Sequence, residues 1–126
     1  MTGQTSVRLL LSVLVALALA ACSPATAPPL ADYRKLGELR VATRHDAISY
    51  RKDANGEVGG FEHELLLALG ERLGVAVRFD TYPDATRALD AVIQGRAHIA
   101  AASLGRNDRL PLRWSAALRE VDYVIA

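Results

Sequence analysis

The stretch GFEHELLLALGERLGVAVRF, residues 60–79, changes its hydrophobic period in the middle, from that of a helix to that of a strand. Its first part has apolar residues at helical spacing, at positions 61, 65, 66, 69 and 73. This spacing predicts a helix over Phe61–Leu73, and Gly74 stands where a C-terminal cap belongs. Val75–Phe79 then alternates between apolar and other side chains, which predicts a half-buried strand.

Upstream of this stretch, the sequence predicts one strand and one turn. Leu39–Thr43 is a short run rich in residues that favour strands. Asn55-Gly56 is a strong local turn signal, and Gly59-Gly60 follows it closely. We therefore expect a hairpin between the first strand and the helix.

Downstream, the same alternation of helix and strand continues. Pro83 and Asp84 predict the start of a second helix, which Gly95 ends. Its expected apolar face contains Ala85, Leu89, Val92 and Ile93. Two further strands are predicted, Ile99–Ser103 and Glu120–Ala126.

The predicted fold class is α/β, a parallel sheet with flanking helices, because strands and helices alternate along the chain. In such sheets ligands bind outside the carboxyl ends of the strands. Those ends lead into Arg44-His45-Asp46 and into Ser103–Arg109. We therefore expect any ligand site to be formed by these two segments.

The first 21 residues have the features of a signal peptide. Arg8 precedes the apolar run Leu9–Ala21, which is too short to span a bilayer as a permanent helix. The sequence Leu19-Ala20-Ala21-Cys22 resembles the bacterial lipobox, in which the cysteine becomes the lipidated first residue. Residues 22–32 are then a proline-containing tether, and Ser23 is consistent with sorting to the outer membrane. The predicted location is the periplasmic face of a bacterial membrane.

The balance of basic and acidic residues argues against nucleic acid as a partner. The chain has 15 basic and 14 acidic residues, and removal of the signal segment leaves 14 of each. This balance predicts no nucleic-acid binding. Membrane contact is expected through the lipid on Cys22 and not through a basic patch.

Four segments together resemble the first lobe of the bacterial family 3 solute-binding proteins: GELRVAT, NGEVGGFEHELLLALGERLGV, ALDAVIQGRAHIAAASL and RWSAALREVDYVIA. The nearest likeness is to the solute-binding-like domain of membrane-bound lytic murein transglycosylases of the F type. The resemblance covers residues 33–126. It implies a periplasmic-binding-protein type II fold, truncated after its first lobe, with Glu120–Ala126 as the strand that crosses to the second.

The resemblance also implies which residues contact a ligand. The family has a turn after its third strand in which hydroxyl groups and an arginine hold the ligand. Here that turn runs from Ser103 to Arg109, is one residue short and lacks the threonines. Arg109 is the favoured partner of a ligand carboxylate, and Arg106 is its rival. Tyr50 either lines the cleft or covers the hairpin.

The residues themselves predict binding and not catalysis. Glu62 and Glu64 are expected to stabilise a helix N-terminus and not to form an acid/base pair. His45, His63 and His98 fall on different elements, so neither a metal nor a cofactor is expected. Two functions remain open. One is recognition of an amino-acid-like or peptidoglycan-derived ligand within a murein transglycosylase, and the other is substrate binding for an amino-acid ABC transporter with its permease.

Overall fold

The computed structural model describes residues 28–120. In chain order its elements are α1 (Tyr33–Leu36), β1 (Glu38–Arg44), β2 (Arg51–Lys52), β3 (Val58–Gly59), α2 (Phe61–Leu73), β4 (Ala76–Tyr82), α3 (Ala85–Ile93) and β5 (Ile99–Ala101). Within this part of the chain, none of the helices has the length and apolar character that crossing a bilayer requires. The signal segment 1–21, Cys22 and residues 121–126 of the predicted last strand lie outside the described residues.

The main sheet has three strands in the order β4-β1-β5, and both pairings are parallel. Val41 in the central strand is paired with Phe79 on one side and Ile99 on the other. The predicted α/β class with a parallel sheet is therefore confirmed. Parallel pairing places the carboxyl ends of all three strands at one edge, called here the carboxyl edge.

The strand limits differ from the sequence prediction at two points. Strand β4 runs on to Tyr82, three residues beyond the predicted end, because its pairing continues to the last residue of β1, Arg44. Strand β5 ends at Ala101 and not at Ser103. Ser103 has a φ of 54°, a left-handed conformation that cannot continue a strand.

Helix α2 has the limits that the sequence predicts. It begins after Gly60 and ends at Gly74, whose φ of 68° is that of a left-handed cap. Its apolar pattern overstates its buried face, because Leu66 and Gly70 are its buried residues while Phe61 is 55% exposed. The apolar spacing thus predicted the limits of the helix correctly, but fewer of its apolar residues are buried than it implied.

Helix α3 buries part of the predicted face together with two alanines that the prediction did not include. Its buried residues are Ala88 and Ala91, while Leu89 is half-buried and Ile93 is 42% exposed. Ala88 and Ala91 pack in one cluster with Ala42 of β1, so small side chains allow this helix to lie close to the sheet. Ala85 and Val92 of the predicted face pack against this cluster, so the prediction was wrong for Ile93 and incomplete without the two buried alanines.

The two faces of the sheet have separate cores. The alanine-rich cluster on the α3 side consists of Ala42, Ala88, Ala91, Ala97 and Ala102. The cluster on the α2 side is built from larger side chains, Leu39, Val41 and Leu66. A central strand buried on both faces is the expected arrangement for a parallel sheet flanked by helices.

The predicted hairpin is present as β2 and β3, which pair antiparallel. At its turn Gly56 has a φ of 87°, which glycine adopts without strain. The carboxylate of Asp53 accepts hydrogen bonds from the backbone N–H groups of Asn55 and Glu57. The hairpin thus begins just after the carboxyl edge of β1.

Candidate ligand-binding edge

Asp46 organises the loop that follows β1. Its Oδ1 accepts hydrogen bonds from the backbone N–H groups of Ile48, at 2.8 Å, and Ser49, at 2.6 Å. Its Oδ2 accepts from Nε of Arg44 at 2.8 Å. An aspartate that accepts from the backbone two residues ahead forms an Asx turn. Asp46 therefore fixes the course of the chain at the carboxyl edge.

Two serine hydroxyl groups join this carboxylate. The Oγ atoms of Ser49 and Ser103 are 2.9 Å apart. Ser103 Oγ also donates towards Asp46 Oδ2 at 3.2 Å, and Ser49 Oγ donates to the same oxygen at 3.1 Å. The loops after β1 and after β5 are thus connected through side chains.

Two effects of opposite sign act on the pKa of Asp46. Burial at the carboxyl edge raises this pKa, and the hydrogen bonds that the carboxylate accepts lower it by more. Those from the N–H groups of Ser49 and Ile48, from the Ser49 hydroxyl and from Arg44 lower the pKa from 3.8 to about 2. Hydrogen bonds to a carboxylate favour its charged form. Asp46 is therefore a fixed negative charge at neutral pH.

The N-terminus of α2 is attached to the same loop. The N–H groups of Glu62 and His63 donate to the carbonyl oxygens of Ile48, at 3.0 Å, and Ser49, at 3.1 Å. The first N–H groups of a helix have no partner within the helix, so these bonds satisfy two of them. The loop is consequently held from one side by Asp46 and from the other by α2.

Glu62 has a role that the sequence did not predict. Its Oε2 accepts a hydrogen bond from the backbone N–H of Ser103 at 3.1 Å. The expected stabilisation of the helix N-terminus is compatible with this contact, but residues 62 and 103 are 41 positions apart. No local sequence signal connects them. Ser103 is thus held at its N–H by Glu62 and at its hydroxyl by Asp46.

Tyr50 lies beside a shallow depression at this edge. Its ring contacts the rings of His45, His63 and Phe79, with centroids 5.5, 5.4 and 5.6 Å away. The depression has a volume of about 300 Å³ and is lined by His45, Asp46, Ala47, Tyr50, Arg51 and Lys52. Tyr50 thus lines a surface depression at the base of the hairpin, and its contact with a ligand stays a prediction.

The two candidate arginines follow Ser103 on an exposed segment. Arg106 is paired with Asp108, with 2.7 Å between Nε and Oδ1, and both side chains are about 70% exposed. Arg109 is also exposed, and its backbone N–H donates to Oδ1 of Asn107. Within residues 28–120 no hydrogen bond or ion pair joins either guanidinium group to Asp46 or Glu62. Ser103 thus contacts Asp46 and Glu62 at the carboxyl edge, whereas both arginines are exposed and lie outside this group of contacts.

Among the described residues, no group of three or more histidine, cysteine, aspartate or glutamate side chains is placed to hold a metal ion. His45 and His63 lie on either side of Tyr50, while His98 precedes β5 at the opposite edge of the sheet. Beside the basic side chains of Arg44, Arg51 and Lys52, the carboxyl edge carries hydroxyl and carboxylate groups, which suit hydrogen bonding to a polar organic molecule.

A parallel α/β domain with hydroxyl and carboxylate groups gathered at its carboxyl edge belongs to the class of domains that bind small polar ligands. The sequence profile of the bacterial extracellular solute-binding proteins, family 3, matches residues 39–109, more than half of the chain. The chain belongs to this family.

Curated relatives include membrane-bound lytic murein transglycosylases F. The protein from Thiobacillus denitrificans is 34% identical over 93 residues, which cover 74% of this chain and 19% of the relative. The protein from Methylobacillus flagellatus is 34% identical over 99 residues, covering 77% of this chain and 21% of the relative. This chain therefore spans about a fifth of the length of these relatives.

Solved structures with a similar fold include two reconstructed ancestral proteins. One is an ancestral amino acid-binding protein, a precursor of cyclohexadienyl dehydratase, with 32% identity and a TM-score of 0.53 over 61% of this chain and 34% of that one. The other is an ancestral arginine-binding protein bound to arginine, with 30% identity and a TM-score of 0.53 over 58% of this chain and 32% of that one. The likeness covers about a third of each ancestral protein.

Proposed function

We propose that this chain is a lipid-anchored, periplasmic solute-binding lobe that recognises an amino-acid-like or peptidoglycan-derived ligand. In this proposal it is the N-terminal part of a protein like transglycosylase F. The observation that carries the binding role is the double attachment of Ser103, to Asp46 through its hydroxyl and to Glu62 through its N–H. These bonds hold the loop after β5 at the edge where parallel α/β sheets bind ligands.

The charges at this edge suit a ligand that carries both an ammonium and a carboxylate group. Asp46, which is paired with Arg44, and Glu62 place two carboxyl groups close to Ser103, where a ligand ammonium group would find acceptors. Arg109 is exposed a few residues further on, and a guanidinium group can hold a carboxylate through two parallel hydrogen bonds. Arg106 is the alternative, although binding would have to compete with its pairing to Asp108.

Two kinds of protein could contain a lobe of this type. The curated relatives named as murein transglycosylases favour a lobe that reports on, or positions, peptidoglycan. The solved structures named as amino-acid-binding and arginine-binding proteins favour the second candidate, a substrate-binding lipoprotein of an amino-acid ABC transporter. The ligand itself discriminates between them, since the first predicts affinity for muropeptides and the second for a free amino acid.

The binding proposal is tested by calorimetric titration of the full-length protein with free amino acids and with purified muropeptides. In a protein that includes the second lobe, Arg109→Ala is expected to weaken binding of the preferred ligand by about 2–5 kcal/mol, the loss typical of one partner of a charge pair that is buried in the complex. Arg113→Ala is the matched control, because Arg113 is an exposed arginine of the same segment. Equal affinity in Arg109→Ala and Arg113→Ala would remove Arg109 from the site, and the same comparison with Arg106→Ala then tests its rival.

The anchor is tested separately by mass spectrometry of Cys22. We expect a processed chain that begins at Cys22 and carries acyl groups, and we expect Cys22→Ala to leave the precursor unprocessed or to release the protein from membranes. Two or more acyl chains give stable anchoring, whereas one gives only marginal binding. An unmodified Cys22 thiol in the wild-type protein would contradict the anchor and leave the binding role unaffected.

A further inference from the structure

The segment that leads into the folded domain is attached to it at three points. The backbone N–H of Leu30 donates to the carbonyl oxygen of Gly95 at 2.8 Å. The carbonyl oxygen of Ala31 lies 2.9 Å from Nε2 of His98. Pro29 contacts Gly95 so closely that a Cβ added to Gly95 would stand 2.7 Å from the Cβ of Pro29. We call these contacts of residues 29–31 with Gly95 and His98 the entry clamp.

Both ring nitrogens of His98 are engaged. Nδ1 accepts a hydrogen bond from the backbone N–H of Arg40 at 2.9 Å, so it carries no proton. The neutral ring then has its proton on Nε2, which donates to the carbonyl oxygen of Ala31. His98 consequently links the central strand β1 to the entering segment.

The entry clamp lies at the amino edge of the sheet, opposite the candidate site. Gly95 connects α3 to β5, and His98 immediately precedes the first residue of β5. Asp46 and Ser103, by contrast, follow the carboxyl ends of β1 and β5. Strand β1 has seven residues, so at about 3.3 Å per residue the two edges are roughly 20 Å apart.

We propose that the amino edge faces the membrane and that the carboxyl edge, with Asp46 and Ser103, is presented away from it. This orientation rests on the proposed lipid anchor at Cys22. Only eight peptide units separate Cys22 from Leu30, so the lipid attachment point lies at most about 30 Å from the clamp. Because the tether joins the domain at the amino edge, the carboxyl edge is roughly 20 Å further from the point of lipid attachment. We therefore expect the amino edge to be on average nearer to the bilayer, with ligands reaching the site from the periplasm.

The orientation is tested by energy transfer from the protein to the bilayer. The full-length lipidated protein is reconstituted in vesicles of phosphatidylethanolamine and phosphatidylglycerol that contain a fluorescent acceptor lipid. A donor dye is attached at the amino edge in Arg96→Cys or at the carboxyl edge in Gly105→Cys, since acylation blocks the thiol of Cys22. Both positions are exposed, and a Cβ at Gly105 would meet no atom within 4 Å.

Transfer from position 96 is expected to exceed transfer from position 105 by at least about twofold, because of the distance between the two edges. Equal transfer, or more transfer from position 105, would overturn the orientation and leave the anchor intact. Absence of transfer from both positions, together with a free Cys22 thiol, would overturn the anchor and the orientation together.

A pair of glycine variants tests the clamp itself. Gly95→Ala places a Cβ against Pro29, whereas Gly74→Ala has the same φ of 68° and meets nothing within 4 Å. The backbone strain is therefore matched, and circular dichroism verifies that both variants fold. The difference in energy transfer between positions 96 and 105 should become smaller in Gly95→Ala and stay unchanged in Gly74→Ala. An undiminished difference in Gly95→Ala would show that the clamp does not set the orientation.

Discussion

Ser103 Oγ lies 3.2 Å from Asp46 Oδ2, although the two residues are 57 positions apart in the sequence. This contact closes the carboxyl edge between β1 and β5, and it brings a fixed negative charge to a residue with left-handed backbone. The same contact makes the stability of the domain sensitive to pH and to the residue at position 103.

Acidification should destabilise the domain through Asp46. Its pKa in the folded state is lowered from 3.8 to about 2, so the stabilisation is fully present above pH 4 and is lost as the pH falls towards 2. We expect the free energy of unfolding to fall by about 1–2 kcal/mol more in the wild-type protein than in Asp46→Asn over that window. Urea unfolding at several pH values measures the free energy of unfolding of the wild-type protein and of Asp46→Asn. If this free energy had the same pH dependence in both proteins, this role of Asp46 would be contradicted.

Ser103 is expected to respond differently to alanine and to glycine. Ser103→Ala removes the hydroxyl that reaches Asp46 and Ser49 but keeps the left-handed backbone, for which a Cβ costs about 1 kcal/mol. Ser103→Gly removes the same hydroxyl and relieves that cost. Thermal unfolding should therefore rank the wild-type protein first, the glycine variant second and the alanine variant last. An alanine variant at least as stable as the glycine variant would contradict the argument.

Gly60→Ala should disrupt the attachment of α2 to the loop after β1. Gly60 has a φ of 130°, and an added Cβ would stand 2.9 Å from the carbonyl oxygen of Ser49 and 3.0 Å from that of Ile48. Both carbonyl groups already accept from the start of α2, so neither can move freely. We expect a loss of about 2 kcal/mol or more in urea unfolding.

Gly59→Ala is the neighbouring control for this experiment. Gly59 lacks the positive φ of Gly60, so the difference between the two variants measures backbone strain and close approach together. A Cβ at Gly59 would have as its nearest atom Nη2 of Arg51, at 3.8 Å, the end of a flexible side chain. Its unfolding should therefore stay close to that of the wild-type protein. Equal losses in the two variants would show that the approach of Gly60 to residues 48 and 49 is not the cause.

Gly70→Ala should destabilise the contact between α2 and β4. An added Cβ would collide with Cγ2 of Val77 and stand 3.1 Å from the carbonyl oxygen of Val75. Such overpacking costs about 1–3 kcal/mol, which outweighs the roughly 1 kcal/mol that alanine gains over glycine within a helix. Adding Val77→Ala should recover part of the loss. Strictly additive effects in this double-mutant cycle would contradict direct contact between the two positions.

The candidate site was only partly predictable. The parallel topology implied that the segments after the first and third predicted strands would meet, and the contact between Asp46 and Ser103 joins them. Glu62 was not anticipated as a partner of Ser103, because that hydrogen bond depends on how α2 packs against the sheet. The ligand roles of Arg106, Arg109, Ser103 and Tyr50 stay predictions.

The sequence by itself determined the elements whose signals are local. The limits of α2 follow from its apolar period and from Gly74 at its end, and the hairpin follows from Asn55-Gly56. Only the tertiary structure decided that Ala88 and Ala91 form the buried centre of α3, since they fit against the sheet more closely than larger side chains would. It also decided the partners of Ser103, because contacts over 41 and 57 positions depend on sheet register and helix packing, which no short stretch of sequence encodes.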